Sequence, residues 1–127
     1  MNNSAARILK AFADALDLHN THPEFIEAKY QAQIHNPWFT EESIANSIGG
    51  WQHALNEESR LKWLESNRVS AESKSDKLGI IGAGNIPFVV MHDVISACVS
   101  GYSLHLKLSS DDNILPKTWI SLAEEIF

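Results

Sequence analysis

Residues 77–110, KLGIIGAGNIPFVVMHDVISACVSGYSLHLKLSS, decide the fold of this chain. A short apolar run at 78–81 is interrupted by glycine, which is typical of a strand that enters a sharp turn. Apolar residues continue for about three helical turns over 88–99, and Gly101 then ends the helix because glycine readily adopts a positive φ. Leucines alternate with polar residues over 103–108, which predicts a second strand.

A strand, a helix and a strand within about thirty residues predict a βαβ unit, whose crossover makes the two strands parallel. Parallel strands are normally covered by helices on both faces and paired with further strands. Two such strands alone make a poor sheet. We therefore expect the missing strands to come from a continuation of the chain or from a partner chain, and we favour a truncated α/β domain.

The chain before this unit is predicted to be helical. Apolar residues recur at helical spacing in four segments, and Pro23, Thr40 and Asn56 suit the starts of three of them. The predicted helices are 5–18, 24–36, 41–55 and 57–68. Three tryptophans are interpreted as core residues rather than as a stacking platform for a ligand. They are Trp38, Trp51 and Trp63.

This pattern predicts two structural segments joined by a linker. Residues 1–70 form an N-terminal helical segment, and the polar residues 71–76 form the linker. Residues 77–127 contain the βαβ unit and a final helix that opens at Leu115 and Pro116.

Composition narrows the class of function. The chain has 127 residues, 44% of them hydrophobic, which is enough for one domain with a modest core. Its net charge is −6 and no basic cluster interrupts it, so we expect neither nucleic acid nor an anionic membrane as partner. No apolar run is long enough to span a bilayer, and the N-terminal residues do not resemble a signal peptide. A cytoplasmic location is therefore expected.

The turn GAGNIP at 82–87 is the first candidate for chemistry. It lacks the dinucleotide-binding fingerprint, because Pro87 stands where that motif has its third glycine. Gly84 still lets the backbone approach a ligand at the carboxyl end of a strand, where open α/β sheets bind their ligands. The Asn85 amide can donate to an oxygen that becomes negative during a reaction. The alternative is that Asn85 adopts a left-handed turn or caps the helix.

Lys107 is the second candidate, at the carboxyl end of the second predicted strand. A lysine there can reach a ribose or a phosphate bound across the end of the sheet. A solvated lysine at a strand end is the alternative. Ser109 and Ser110 follow in the same loop.

Other reactive residue types give no site. The six histidines show no metal-binding spacing, so no metal site is predicted. His92 and Asp93 are neighbours on one helix and point to different faces, which argues against a catalytic dyad. Cys98 is the single cysteine, and no basic residue is placed to ionise it. It is interpreted as a buried structural thiol.

Several short motifs together resemble the acyl-CoA reductases, relatives of the bioluminescence fatty acyl reductase in the aldehyde dehydrogenase superfamily. They are AGNIP (83–87), HD (92–93), SG (100–101), KLSSDD (107–112) and NPWFT (36–40). The resemblance covers nearly the whole chain but only the front portion of the family's length.

The resemblance implies a role for each matching residue. Asn85 matches the asparagine that ends the turn after the first strand of the cofactor domain and helps to hold the thioester or hemithioacetal oxygen. Lys107 and Ser109 match a lysine and a serine at the adenosine ribose, whereas Leu108 and Ser110 depart from the family pattern. Ser110 stands where a glutamate would bind the ribose 2′-hydroxyl, so the carboxylate that would repel a 2′-phosphate is replaced. The resemblance therefore implies NADPH, with NADH as the alternative.

The resemblance also implies that residues 77–127 begin a Rossmann-like cofactor domain and that the catalytic cysteine lies beyond Phe127. The expected function is the N-terminal part of an NAD(P)H-dependent reductase that converts fatty acyl-CoA to aldehyde through a cysteine acyl-enzyme. This chain alone is expected to be inactive. The alternative is a small, non-enzymatic α/β interaction module that completes its sheet by forming a homo-oligomer.

Overall fold

The computed structural model describes residues 4–67 and 74–127 and has a mixed α/β fold in which helices predominate. The elements in chain order are α1 (Ser4–Leu16), a 3-10 turn (Asp17–Asn20), α2 (Pro23–His35), α3 (Glu41–Ala54), α4 (Glu57–Asn67), β1 (Lys77–Ile81), α5 (Met91–Val99), β2 (Ser103–Lys107) and α6 (Ile114–Ile126). The predicted α/β class is confirmed at this level. The predicted end of the fourth helix at 68 and residues 71–73 of the predicted linker lie outside the described residues.

Three predicted helix starts are confirmed by their capping geometry. Pro23 occupies the first turn of α2, where its missing N–H costs no helical hydrogen bond. Thr40 Oγ1 accepts a hydrogen bond from Ser43 N at 3.0 Å, at the start of α3. Asn56 Oδ1 accepts one from Ser59 N at 2.8 Å, at the start of α4. The Thr40 and Asn56 side chains each satisfy an amide that the helix leaves without an internal partner.

The βαβ unit is confirmed as two parallel strands joined by a helix. Residues pair in register from Lys77 opposite Ser103 to Ile81 opposite Lys107. Gly101, with φ of 86°, ends the connecting helix α5 as expected. Its N–H donates to the carbonyl of Cys98 at 3.1 Å, in the arrangement that commonly closes a helix with a left-handed residue.

The helix α5 begins at Met91, so the prediction that it begins at 88 is wrong. Phe88 has a φ of 66°, which places it in the left-handed region although it is not glycine. Its backbone N–H donates to Asp112 Oδ2 at 2.7 Å. Because this N–H is directed to a distant side chain, the chain makes a turn before the helix starts.

One hydrophobic core extends over the helical front and the βαβ unit. Buried side chains of α1, α5 and α6 belong to the same cluster, and α1 packs against both of the other helices. Trp119 is fully buried in this cluster, and its Nε1 donates to the Phe12 carbonyl at 2.8 Å. The packing therefore joins the two segments on either side of 71–76, and the proposed domain boundary stays a prediction.

The tryptophan prediction is largely wrong. Trp38 is 89% exposed and Trp63 is 36% exposed, so neither is a core residue. Trp51 is partly buried against the core. Its ring lies 5.3 Å from that of Trp119, the tryptophan that occupies the centre. The apolar face of α6 buries this ring, whereas Trp38 follows a helix end and meets solvent.

The two faces of the sheet differ. Ile80 is buried, and the neighbouring Leu106 packs against the core on the same face. On the other face Ile81 is 86% exposed, and its partner Lys107 is exposed as well. The other residues that the two strands place on this face are exposed too. No helix within 4–67 or 74–127 has the length and apolarity needed to cross a membrane.

Candidate functional site

The turn after β1 and the loop after β2 meet at the carboxyl ends of the strands. Gly82 N–H donates to the Lys107 carbonyl at 2.8 Å, which extends the parallel ladder beyond β1. Residues 82–87 and 107–112 therefore start side by side. The predicted convergence of these two segments follows from the parallel pairing.

Gly84 is the point of closest approach between these segments. A Cβ at this position would lie 2.4 Å from Ser109 Oγ and 3.1 Å from Asp111 Cβ. No ordinary side chain fits there without moving the loop. Ser109 Oγ also accepts a hydrogen bond from Asp111 N at 3.2 Å, so the loop has an internal constraint.

Asn85 and Lys107 both present exposed side chains at this end of the sheet. Neither side chain has a hydrogen bond to another residue in the described ranges. The Asn85 amide and the Lys107 ammonium are therefore available to an external ligand. Ser109 is half-buried and Ser110 is exposed, beside these two groups.

The end of α2 contributes residues that sequence reasoning missed. His35 Nε2 donates to the Ser110 carbonyl at 2.7 Å, and Asn36 Nδ2 donates to the Asp111 carbonyl at 3.0 Å. Asn36 Oδ1 also accepts from Trp38 N at 3.0 Å. These bonds attach the loop after β2 to the helical front. The conspicuous stretch NPWFT was the only sequence signal for them, and it did not indicate their partner.

Asp112 is the buried carboxyl group of the site, with 3% of its surface exposed. Its Oδ2 accepts the Phe88 N–H, and its buried Oδ1 has no hydrogen-bond partner among the described residues. Burial raises the pKa of Asp112 to about 7, and the hydrogen bond from Phe88 opposes that rise. No signal in the sequence indicated that Asp112 is buried.

Cys98 is unsuited to nucleophilic chemistry at this site. Burial raises the pKa of its thiol, and Glu124 adds to the rise, so the thiolate is disfavoured. Cys98 lies in the last turn of α5, whereas the turn with Asn85 precedes the first residue, Met91. Cys98 is seven positions after Met91 in this helix, which is about 10 Å along the axis.

The histidines do not assemble into a metal centre in the described residues. No group of three or more His, Cys, Asp or Glu side chains there could hold a metal ion. His92 instead stacks on Trp51, with ring centroids 4.3 Å apart. A cavity of about 270 Å³ lies beside this pair, and Ile86 and Pro87 of the turn form part of its wall.

A second polar group lies beside a cleft of about 500 Å³ between α2 and α3. Lys29 Nζ donates to Asn20 Oδ1 at 2.8 Å and to His19 Nδ1 at 3.1 Å. Burial lowers the pKa of Lys29. Burial and the neighbouring Lys29 charge both lower the pKa of His19. The hydrogen bonds attach the 3-10 turn to α2.

No protein-family model, no curated protein and no solved structure matches this chain. The function of the candidate site therefore has to be inferred from its geometry and from the residues that it contains.

Proposed function

We propose that this chain is the N-terminal portion of an NAD(P)H-dependent acyl-CoA reductase, with residues 77–127 as the opening βαβ unit of a Rossmann-like cofactor domain. The observation that carries the proposal is the position of Asn85 and Lys107. Both are exposed and uncommitted, on adjacent segments, at the carboxyl ends of two parallel strands. Open α/β sheets bind their ligands at this end.

The donor groups of the site suit a dinucleotide. Lys107 and the Ser109 hydroxyl can donate to ribose or phosphate oxygens, and Gly84 keeps the adjacent backbone free of side chains. The exposed Asp111 carboxylate beside Gly84 suits a ribose 2′-hydroxyl and would repel a 2′-phosphate. The cofactor, when bound, supplies hydride chemistry. NADPH follows from the family resemblance, whereas Asp111 favours NADH, so both belong in the test.

Asn85 is proposed to act on the substrate rather than on the cofactor. Its side-chain amide can donate to the thioester oxygen of an acyl-CoA, where negative charge develops during reduction. The reaction also needs a thiolate nucleophile. Cys98 does not supply it, because its thiol is half-buried with a raised pKa.

Titration of the chain with NADPH and, separately, with NADH by isothermal calorimetry tests the proposal. We expect binding that Lys107→Ala weakens by about tenfold or more, since hydrogen bonds to charged groups contribute about 1.5–3 kcal/mol. Lys62→Ala is the matched control, because Lys62 is an exposed lysine of α4 that pairs with Glu58. Absence of binding, or equal losses in the two variants, would refute the assignment.

A turnover assay tests the role of the missing thiol separately. The chain mixed with a fatty acyl-CoA and NADPH should bind the nucleotide without producing aldehyde. Clear aldehyde production would mean that a group in this chain acts as the nucleophile after all.

The free edge of the sheet favours a second candidate, an interaction module that completes its sheet in a homo-oligomer. Among the described residues, β1 pairs with β2 alone. The Gly82 N–H donates to a carbonyl at the end of β2. In a parallel ladder the backbone groups of successive residues point to alternate sides, so the N–H and C=O groups of Gly79 and Ile81 point to the open side. A groove of about 450 Å³ runs along this edge. An unpaired edge of this kind is a template for another strand.

A further inference from the structure

Asp112 connects the two segments that form the candidate site. Its Oδ2 accepts the N–H of Phe88, which is 24 residues earlier in the chain. Phe88 is fully buried and has a φ of 66°. This conformation is strained for a residue other than glycine, so the surrounding contacts have to stabilise it. The hydrogen bond to Asp112 is one such contact.

The carboxyl group is poorly suited to carry a charge in this position. Only 3% of Asp112 is exposed, and Oδ1 has no partner among the described residues. Burying a carboxylate that has only one hydrogen bond costs much free energy of desolvation. The neutral acid accepts the same hydrogen bond and costs less to bury. Burial raises the pKa of Asp112 to about 7, in agreement with this geometry.

The charged and titratable groups on the elements that adjoin the Asp112 loop and the Phe88 turn do not compensate for ionisation of Asp112. They are His35 at the end of α2, Lys107 at the end of β2, Asp111 in the same loop, His92 and Asp93 in the first turn of α5 and Lys117 in α6. None of these side chains forms an ion pair with Asp112 in the described part of the chain. His35 is bound instead to the Ser110 carbonyl.

We propose that Asp112 is a protonation-dependent latch. It holds the turn at residues 84–90 in the observed geometry, with Phe88 hydrogen-bonded to Asp112, and it releases the turn when the carboxyl group ionises. In the protonated state the latch is closed, and the Phe88 N–H is engaged. Ionisation favours a conformation in which Asp112 is hydrated, so Phe88 loses this partner and leaves the left-handed region. Since Gly84 and Asn85 begin this turn, the candidate site opens as the pH rises through neutrality.

The direction of the pH effect follows from linkage. The folded state holds a proton on Asp112 at pH values where the unfolded chain has already lost it. The contribution of this residue to stability is therefore complete below the ordinary carboxyl pKa of 3.8 and is lost as the pH rises towards about 7. The latch itself is independent of the proposed function, and only its effect on nucleotide binding rests on that proposal.

The test is a pH titration by nuclear magnetic resonance between pH 3 and 9, without ligand. We expect the ¹³Cγ signal of Asp112 to titrate with a midpoint near the raised pKa of about 7. The amide signals of Asn85 and Phe88 should follow the same midpoint. A ¹³Cγ midpoint near 4 would overturn the proposal.

Three variants distinguish the titration of Asp112 from that of the neighbouring groups. Asp112→Asn keeps an oxygen that accepts the Phe88 N–H but cannot ionise, so the midpoint in the Asn85 and Phe88 amides should disappear. Asp111→Asn, in the adjacent exposed position, and His35→Gln should leave that midpoint unchanged. Persistence of the midpoint in Asp112→Asn, or its loss in His35→Gln, would overturn the proposal. If Asp112→Asn does not fold, the ¹³Cγ titration of the unmodified chain decides.

Discussion

A close contact between two loops explains the glycine at position 84. The space that a Cβ would need at Gly84 is occupied by Ser109 and Asp111. We expect Gly84→Ala to move the loop after β2 and to lower the free energy of unfolding by about 1–3 kcal/mol, the usual cost of an overpacked site. Urea denaturation measures this change.

Gly49→Ala is the matched control for that substitution. Gly49 lies inside α3, and its Cβ would meet nothing within 4 Å. Alanine is the better helix former, so this variant should be more stable by about 1 kcal/mol. If both variants lowered, or both raised, the free energy of unfolding, the steric explanation of Gly84 would be contradicted.

Trp119 and Trp38 should differ sharply in their contribution to stability. Trp119→Phe removes the Nε1–H donor of the Phe12 carbonyl and leaves a gap at the centre of the core. The expected loss is about 2–4 kcal/mol, from an unpaired buried carbonyl and a small cavity. Trp38→Phe, at an exposed position, should change stability by less than about 0.5 kcal/mol. Thermal unfolding of both variants tests this order.

At the scale of the element, the helix starts depend on local side chains. Thr40→Ala removes the hydroxyl that accepts the Ser43 N–H, and it should destabilise the chain by about 1 kcal/mol. Thr21→Ala is the control, since no hydrogen bond of the Thr21 side chain occurs among the described residues. Equal effects in urea denaturation would show that the cap is not what stabilises α3.

The elements that local patterns specify could be predicted from the sequence. Alternation of leucines predicted β2, and Gly101 and Thr40 predicted where α5 ends and α3 begins. The start of α5 could not be predicted this way. Phe88 belongs to an apolar run typical of a helix, but its N–H bonds to Asp112, and no local signal reports a partner 24 residues away.

The candidate site was predictable to the same extent. Parallel strands bring their carboxyl ends together, so Asn85 and Lys107 could be expected on adjacent segments. Their roles stay predictions. His35 and Asn36 reach the loop after β2 only because α2 packs against α6, and such packing is not readable from periodicity.

At the scale of the whole molecule, the open edge of β1 should govern association. If the chain is part of a larger sheet, we expect association that increases with concentration and has no defined size. Ile81→Lys places a charge at the exposed end of this edge and should reduce it. Ile26→Lys, at an exposed position of α2, is the control. Light scattering measures both, and a discrete dimer or tetramer would favour the interaction module instead.

The bond from Trp119 to the Phe12 carbonyl joins residues 107 positions apart, within the interface of α1 and α6. The two halves of the chain are therefore held by packing as well as by the covalent backbone. Peptides of residues 4–67 and 74–127 should recognise each other when mixed, and the tryptophan emission should move to shorter wavelength as Trp119 leaves water. Leu9→Asp in the first peptide should prevent this reassembly, because Leu9 is buried in the same core.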